Sequence, residues 1–196
     1  HTDTKVPHVD TQGPRCQVQF ATAQGPQPIL CDVVLSAAGT VTNLAGLGLE
    51  QAGVTTHRGR VVVDDYYRTQ APGIYAIGDI VPCPALAHVA SAEGIVCVEQ
   101  IAGLSPEPLN YHNVPACTYC QPEVASVGYT AQAAQAAGYE VKVGKFPFSA
   151  SGKAHAAGTT TGFVKVVFDA QHGEWLGAHM VGANVTEMIA EVVAAR

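Results

Sequence analysis

At 196 residues the chain is long enough for one large domain or two small ones. Its charged fraction of 13% lies well under the roughly 25% of an ordinary soluble domain, so much of its surface is built to be covered. A net charge of −6 without a basic run excludes nucleic acid and anionic membrane as natural partners, and no apolar stretch approaches the roughly 20 residues of a membrane span.

Residues 15–22, RCQVQFAT, alternate apolar and polar, and after AQGPQP comes ILCDVVL, a run too continuous to be half exposed. The pattern predicts a hairpin feeding a buried strand. That strand ends in Ser36-Ala37-Ala38-Gly39, small residues that let another molecule approach the backbone. GLGLEQAG, residues 46–53, resembles half of a dinucleotide fingerprint, but Gln51 stands at the third glycine position, which favours a short helix or turn. RVVVDD, residues 60–65, reads as a strand.

The stretch TQAPGIYAIGDIVPCPALAH, residues 69–88, holds the main candidate site. The run Ile74-Tyr75-Ala76-Ile77 stops at Gly78-Asp79, crosses a proline-bracketed loop and restarts as a small-residue helix predicted from Ala85 to Ala102. Open α/β sheets bind cofactors at such junctions, outside the carboxyl ends of their strands. Asp79 can accept hydrogen bonds from ligand hydroxyls, and the first amides of the helix favour negative charge. Its alternative role is structural, capping its own loop. His88, in the first helical turn, can face a ligand through its backbone or its imidazole. Gly94 costs the helix about 1 kcal/mol relative to Ala, which points to a close neighbour.

Beyond a proline-containing linker at 105–108 the pattern turns to strands: ACTYC, VASVGYT, EVKVGKFPF, GFVKVVFD and EWLGAHMVG. Between the second and third lies TAQAAQAAG, a helix with Thr130 as N-cap and Gly138 as its stop. In NVTEMIAEVVAAR, Asn184 and Glu187 have the spacing of a capping box, and Val185, Met188, Ile189, Val192 and Val193 share one face. This second half reads as an α+β layer.

Six cysteines, mostly inside apolar runs, suit a reducing, cytoplasmic setting, with Cys16, Cys31 and Cys97 as buried thiols. Cys117 and Cys120 have redox or zinc spacing, yet residues three apart on a strand point to opposite faces. Cys83 stands in a loop without a nearby partner. The eight histidines show no metal-binding spacing, and no nucleophile motif occurs, so no metal ligand is assigned.

TQAPGIYAIGD resembles the second flavin-binding motif of the pyridine nucleotide-disulfide oxidoreductases at every specified position, and PALAHVASAEG resembles the segment that follows it. TYCQPEVASVGYT and FPFSASGKAHA resemble the interface domain of the dihydrolipoamide dehydrogenase branch. The resemblance implies that Asp79, after Gly78, hydrogen-bonds the ribityl chain of FAD. It also implies that Ala85, Leu86, Ala87 and His88 lie against the flavin ring, and that Gly39 lies by bound NAD.

The fold it implies is α/β plus α+β. Residues 1–39 end an NAD-binding domain, 40–108 form the second segment of a Rossmann-like FAD domain, and 109–196 form an antiparallel-sheet dimerisation domain with helices. A homodimer and the lipoyl domains of 2-oxoacid dehydrogenase complexes are the implied partners. Gly39-Thr40-Val41-Thr42-Asn43 replaces the usual Gly-Arg-x-Pro-Asn, which leaves NAD against NADP open; Cys120-Gln121 and Lys153 are further departures.

The first flavin fingerprint, the redox cysteine pair and the His/Glu base segment of this family do not occur in these residues, so no catalytic residue is assigned. The expectation is the C-terminal portion of a longer enzyme, cut at both ends and inactive alone. The alternatives are a stand-alone, non-catalytic dimerisation or binding module and another flavin disulfide reductase.

Overall fold

The computed structural model describes residues 2–22 and 25–196. The chain divides into two compact units, His1–Val41 and Thr42–Arg196. In the first, β1 (Lys5–Asp10), β2 (Cys16–Thr22) and β3 (Gly25–Cys31) form an antiparallel sheet in that order. The β2–β3 register runs unbroken from Cys16↔Cys31 to Thr22↔Gly25, so a hairpin forms, with residues 25–28 of the turn-rich AQGPQP stretch paired inside β3; its connection at 23–24 lies outside the described residues.

The buried strand expected over ILCDVVL does not form as such. β3 stops at Cys31, and Val33 and Leu35 are 80% and 87% exposed. A strand exists only against a partner, and no described strand pairs with residues 32–38.

The second unit opens with turns over residues 45–53, where Gly46 and Gly48 adopt positive φ, so the half-fingerprint there is a turn. β4 (Thr56–His57) and β5 (Arg60–Val61) follow as a short hairpin. RVVVDD is cut short as a strand because Asp64 bends the chain: its carboxylate accepts hydrogen bonds from the amides of Tyr66 and Arg68, both at 3.0 Å, and from Arg68 Nε at 2.7 Å. Val54, Val61, Ala71, Ala76 and Val81 make the local core.

Helix α1 (Ala87–Ile101) starts and ends within two residues of expectation. Val89, Glu93 and Cys97 are buried on one side, while Ile95, Val98 and Ile101 are exposed on the other. A helix apolar on both sides is built to be covered on both. Gly94 has its close neighbour: a Cβ there would stand 3.3 Å from Ile77 Cδ1.

The rest is a five-stranded antiparallel sheet of β6 (Ala116–Thr118), β7 (Glu123–Gly128), β8 (Val141–Pro147), β9 (Phe163–Asp169) and β10 (Trp175–Gly182), in the order β6-β7-β10-β9-β8. Helices α2 (Ala131–Ala136), α3 (Gly152–Ala157) and α4 (Val185–Ala195) accompany it. Val185, Ile189 and Val192 of α4 pack on Ala125, Val127, Ala178 and Met180, with Val166 beside them; Ala134 of α2 packs on Val167 and Leu176. Val166 and Val167 are neighbours on one strand and face opposite ways, so helices pack on both faces at the middle of the sheet, while the edge strand β8 stays largely exposed.

Thr130 caps α2 as expected, its hydroxyl accepting from Ala133 N at 3.0 Å, with Gly138 beyond the helix at φ +92°. The capping box on α4 does not form. Asn184 takes a left-handed backbone at φ 60° and caps nothing with its side chain, a conformation Asn tolerates better than most residues. The acceptor comes from β7 instead: Glu123 Oε2 receives Thr186 N at 3.1 Å and Thr186 Oγ1 at 2.7 Å. Met188 is exposed, off the buried stripe of α4.

Ile189→Ala should cost about 2–5 kcal/mol of unfolding free energy, read by denaturant titration. Thr186 holds the Glu123 carboxyl below its ordinary value of 4.5, chiefly through the side-chain hydrogen bond. The folded value is depressed, so this stabilisation is complete above pH 4.5 and is lost as pH falls through the lowered value. Glu123→Gln should therefore lower Tm at pH 7, and the difference should close as wild type is acidified below pH 4.5.

Candidate functional site

The run Ile74–Ile77 reaches its turn in extended form, tied back by a bridge between Tyr75 and Arg68 and by Ala76 N donating to Tyr67 O at 3.0 Å. At Gly78 the backbone swings to φ +75°, a conformation that strains any side-chain-bearing residue, and a Cβ there would meet Ala90 Cβ at 3.4 Å. A single 3-10 helical turn, Gly78–Ile80, follows and closes with Val81 N on Gly78 O at 3.0 Å. It leaves Asp79 exposed, with a carboxylate that accepts no hydrogen bond from any described residue.

α1 begins after an extended Leu86, and no side chain caps it. Val89 N and Ala90 N turn back to Leu86 O, whereas the amides of Ala87 and His88 find no partner among the described residues. Ala85, Ala87 and His88 are exposed and Leu86 is half-buried. Six of the seven residues singled out from sequence thus lie on one turn and the helix start beside it. Gly39 lies in the first unit, exposed at φ +89°, with nothing within 4 Å of where a Cβ would stand.

Sequence reasoning missed what holds this turn. Glu93 is 0% exposed. Its Oε2 accepts the Gly78 amide at 2.6 Å, and its Oε1 accepts the Tyr111 hydroxyl at 2.6 Å, which lies 3.1 Å from the Tyr67 hydroxyl. Tyr67 itself has φ 65°, uncommon for a bulky residue and held by the Asp64 turn. Arg60 Nη1 donates to Asp79 O at 3.2 Å and to Val81 O at 2.6 Å. A signal existed: Glu93 stands four residues from both Val89 and Cys97, a carboxylate on the buried stripe of an apolar helix.

Burial pushes the Tyr111 hydroxyl up, and its bond to Glu93 raises it further; burial raises Tyr67 as well. Cys83 is half-buried, donates to Gly78 O at 3.3 Å, and is pushed up to about 12 by burial and then by Glu93. A protonated thiol is a poor nucleophile. Cys117 donates to Thr186 O at 3.9 Å and Cys120 to Pro122 O at 3.1 Å, so the two thiols of the Cys-x-x-Cys lead to different partners.

Two models of one family match the sequence: pyridine nucleotide-disulphide oxidoreductase over residues 1–94, and the dimerisation domain of the same family over residues 114–196. The fold is accordingly a mixed α/β segment joined to a dimerisation domain. The chain belongs to the pyridine nucleotide-disulphide oxidoreductase family.

Similar curated proteins include the dihydrolipoyl dehydrogenase of Rhizobium etli, 50% identical over 99% of this chain and 41% of the relative. That of Zymomonas mobilis is 52% identical over 82% of this chain and 34% of the relative. The chain thus spans about two-fifths of the length of the relatives it matches. The crystal structure of LpdA from Mycobacterium tuberculosis superposes with a TM-score of 0.88 at 28% identity, covering 98% of this chain and 42% of that one. The flavoprotein disulfide reductase RclA from Escherichia coli shares the fold, with a TM-score of 0.81 at 24% identity over 97% of this chain and 43% of that one. No described helix is long and apolar enough to cross a membrane.

With Cys83 at about 12 against an ordinary 9.0, its thiolate fraction at pH 8 is lower by a factor of about 100–1,000. Iodoacetamide at pH 8 should label the exposed Cys120 well before Cys83, as read by peptide mass spectrometry.

Proposed function

We propose that this chain is part of a dihydrolipoamide dehydrogenase, an FAD enzyme that oxidises protein-bound dihydrolipoamide through a redox disulfide and reduces NAD. The observation that carries the reading is the pairing, on one compact unit, of the unpartnered Asp79 carboxylate with the two unpaired amides that open α1. The sequence similarity to dihydrolipoyl dehydrogenases supports the substrate class.

The residues fit the cofactor. An exposed carboxylate without a protein partner suits a row of sugar-alcohol hydroxyls, and uncapped helix amides suit the edge of a ring that gains negative charge. Asp79 would accept hydrogen bonds from the ribityl chain of FAD, and Gly78 would bring the backbone to it without a side chain in the way. Ala85, Leu86, Ala87 and His88 would lie along the flavin, where the small Ala85 and Ala87 let the backbone come close. Bound FAD supplies the two-electron step: the dithiol gives up two electrons and two protons, NAD accepts a hydride, and one proton is released.

Gly39 belongs to the nicotinamide side. Its bare, exposed backbone at φ +89° suits the approach of a dinucleotide. Residues 1–39 then end the NAD-binding domain, 40–108 continue the FAD domain, and 109–196 form the dimerisation domain of a homodimer whose further partners are lipoyl domains. The setting is the cytoplasm. The chain by itself contributes binding groups and no redox disulfide or base, so it is inactive without the rest of the enzyme. The exposed Ile95, Val98 and Ile101 of α1 speak against an independent binding module, because such a face asks for cover.

Asp79→Ala in the complete enzyme should weaken FAD binding by about 1–3 kcal/mol, read as flavin content after gel filtration and as the dissociation constant. Unchanged flavin content would remove Asp79 from the site.

A further inference from the structure

We infer that Glu93 and Arg60 are positioning residues for the cofactor, which grip the Gly78–Val81 turn from two sides and so fix where the Asp79 carboxylate stands. The inference rests on the reading of Asp79 as an FAD contact. The Asp79 side chain has no protein partner, so its place is set by its backbone alone.

That backbone is held on both flanks. Before Asp79, the Gly78 amide donates to Glu93 Oε2 at 2.6 Å, while Gly78 O receives Val81 N at 3.0 Å and Cys83 Sγ at 3.3 Å. After it, Arg60 Nη1 donates to Asp79 O at 3.2 Å and Val81 O at 2.6 Å. An acid from α1 and a base from β5 thus meet on one short turn, with Asp79 between them. Glu93 is itself fixed by the Tyr111 hydroxyl at 2.6 Å, and because Tyr111 donates to Glu93, Tyr67 donates to Tyr111.

Stability alone does not call for this arrangement. Glu93 sits at 0% exposure between Val89 and Cys97 on the buried stripe of α1, where an apolar side chain would pack without the cost of taking a carboxyl group out of water. What the carboxyl does that Leu cannot is accept an amide that a left-handed glycine turn leaves pointing into the protein. The strained Tyr67 at the far end of the chain of hydroxyls has the same explanation: its ring is held where its hydroxyl can reach Tyr111.

The test uses the full-length enzyme, with FAD affinity measured by flavin fluorescence on stripped protein and Tm recorded without flavin. Glu93→Gln keeps an acceptor for the Gly78 amide and can donate to Tyr111, whose hydroxyl then turns to Tyr67; its FAD constant should stay within about twofold of wild type. Glu93→Leu should weaken FAD about tenfold and Arg60→Met about fivefold. In an Asp79→Ala background both effects should shrink below about twofold, because both act through Asp79.

Wild-type affinity in Arg60→Met and Glu93→Leu overturns the inference, as does a Gln variant as weak as Leu, or losses that persist in full without the Asp79 carboxylate. Should Glu93→Leu fail to fold, Arg60→Met, whose side chain is half-buried, decides together with Glu93→Gln. An unchanged constant for Asp79→Ala alone overturns the reading of the site and this inference with it. A weakened constant there, beside wild-type behaviour of Arg60→Met, overturns the inference only.

Discussion

The peptide between Ile77 and Asp79 is the constraint around which the second unit's first half is arranged. An extended apolar run must stop, reverse the direction of its amide and hand over to a helix within a few residues, and only a left-handed glycine does this without strain. The reversal leaves a buried N–H with no strand to pair with. A buried amide needs an acceptor, and the acceptor here is a carboxylate carried on the inner face of α1. From that one bond follow the acid inside an apolar helix, the tyrosine that satisfies its other oxygen, and the strained second tyrosine behind it.

The low charged fraction of the composition leaves exposed apolar surface at definite addresses. Val33 and Leu35 beyond β3, the outer side of α1, and Val143 and Phe146 on the edge strand β8 are left open, while the middle of the dimerisation-domain sheet carries helices on both faces. An apolar group in water costs about 25 cal/mol per Å2 against its buried state, so these open faces carry a standing free-energy cost.

Electrostatics is sparing and local. The half-buried thiol at Cys83 and the partly buried hydroxyls at Tyr67 and Tyr111 are all raised, which keeps them neutral beside Glu93. Glu123 is the opposite case, a carboxylate held low by the amide and hydroxyl at the start of α4. Both acids do the same physical work, accepting backbone amides left over by a turn or a helix start, and both reach across long stretches of sequence to do it.

Local pattern determined a good deal by itself. Alternation in RCQVQFAT, the five apolar runs after residue 115, the Thr130 cap and the Gly-Asp junction before a small-residue helix each encode their element in neighbouring residues, because hydrogen bonding and φ preference act over a few positions. Tertiary structure decided the rest. ILCDVVL is a strand sequence that lacks a described partner beyond Cys31, Asn184 gave way as a cap to the Glu123 carboxylate, which lies 63 residues before the Thr186 it accepts from, and Glu93, Arg60 and Tyr111 gather around the Gly78–Val81 turn only once α1 has folded back on its own approach segment. The division has a single physical reason: caps and turns are satisfied by atoms close in sequence, whereas strand pairing and the burial of a charged group depend on which distant surfaces the chain brings together.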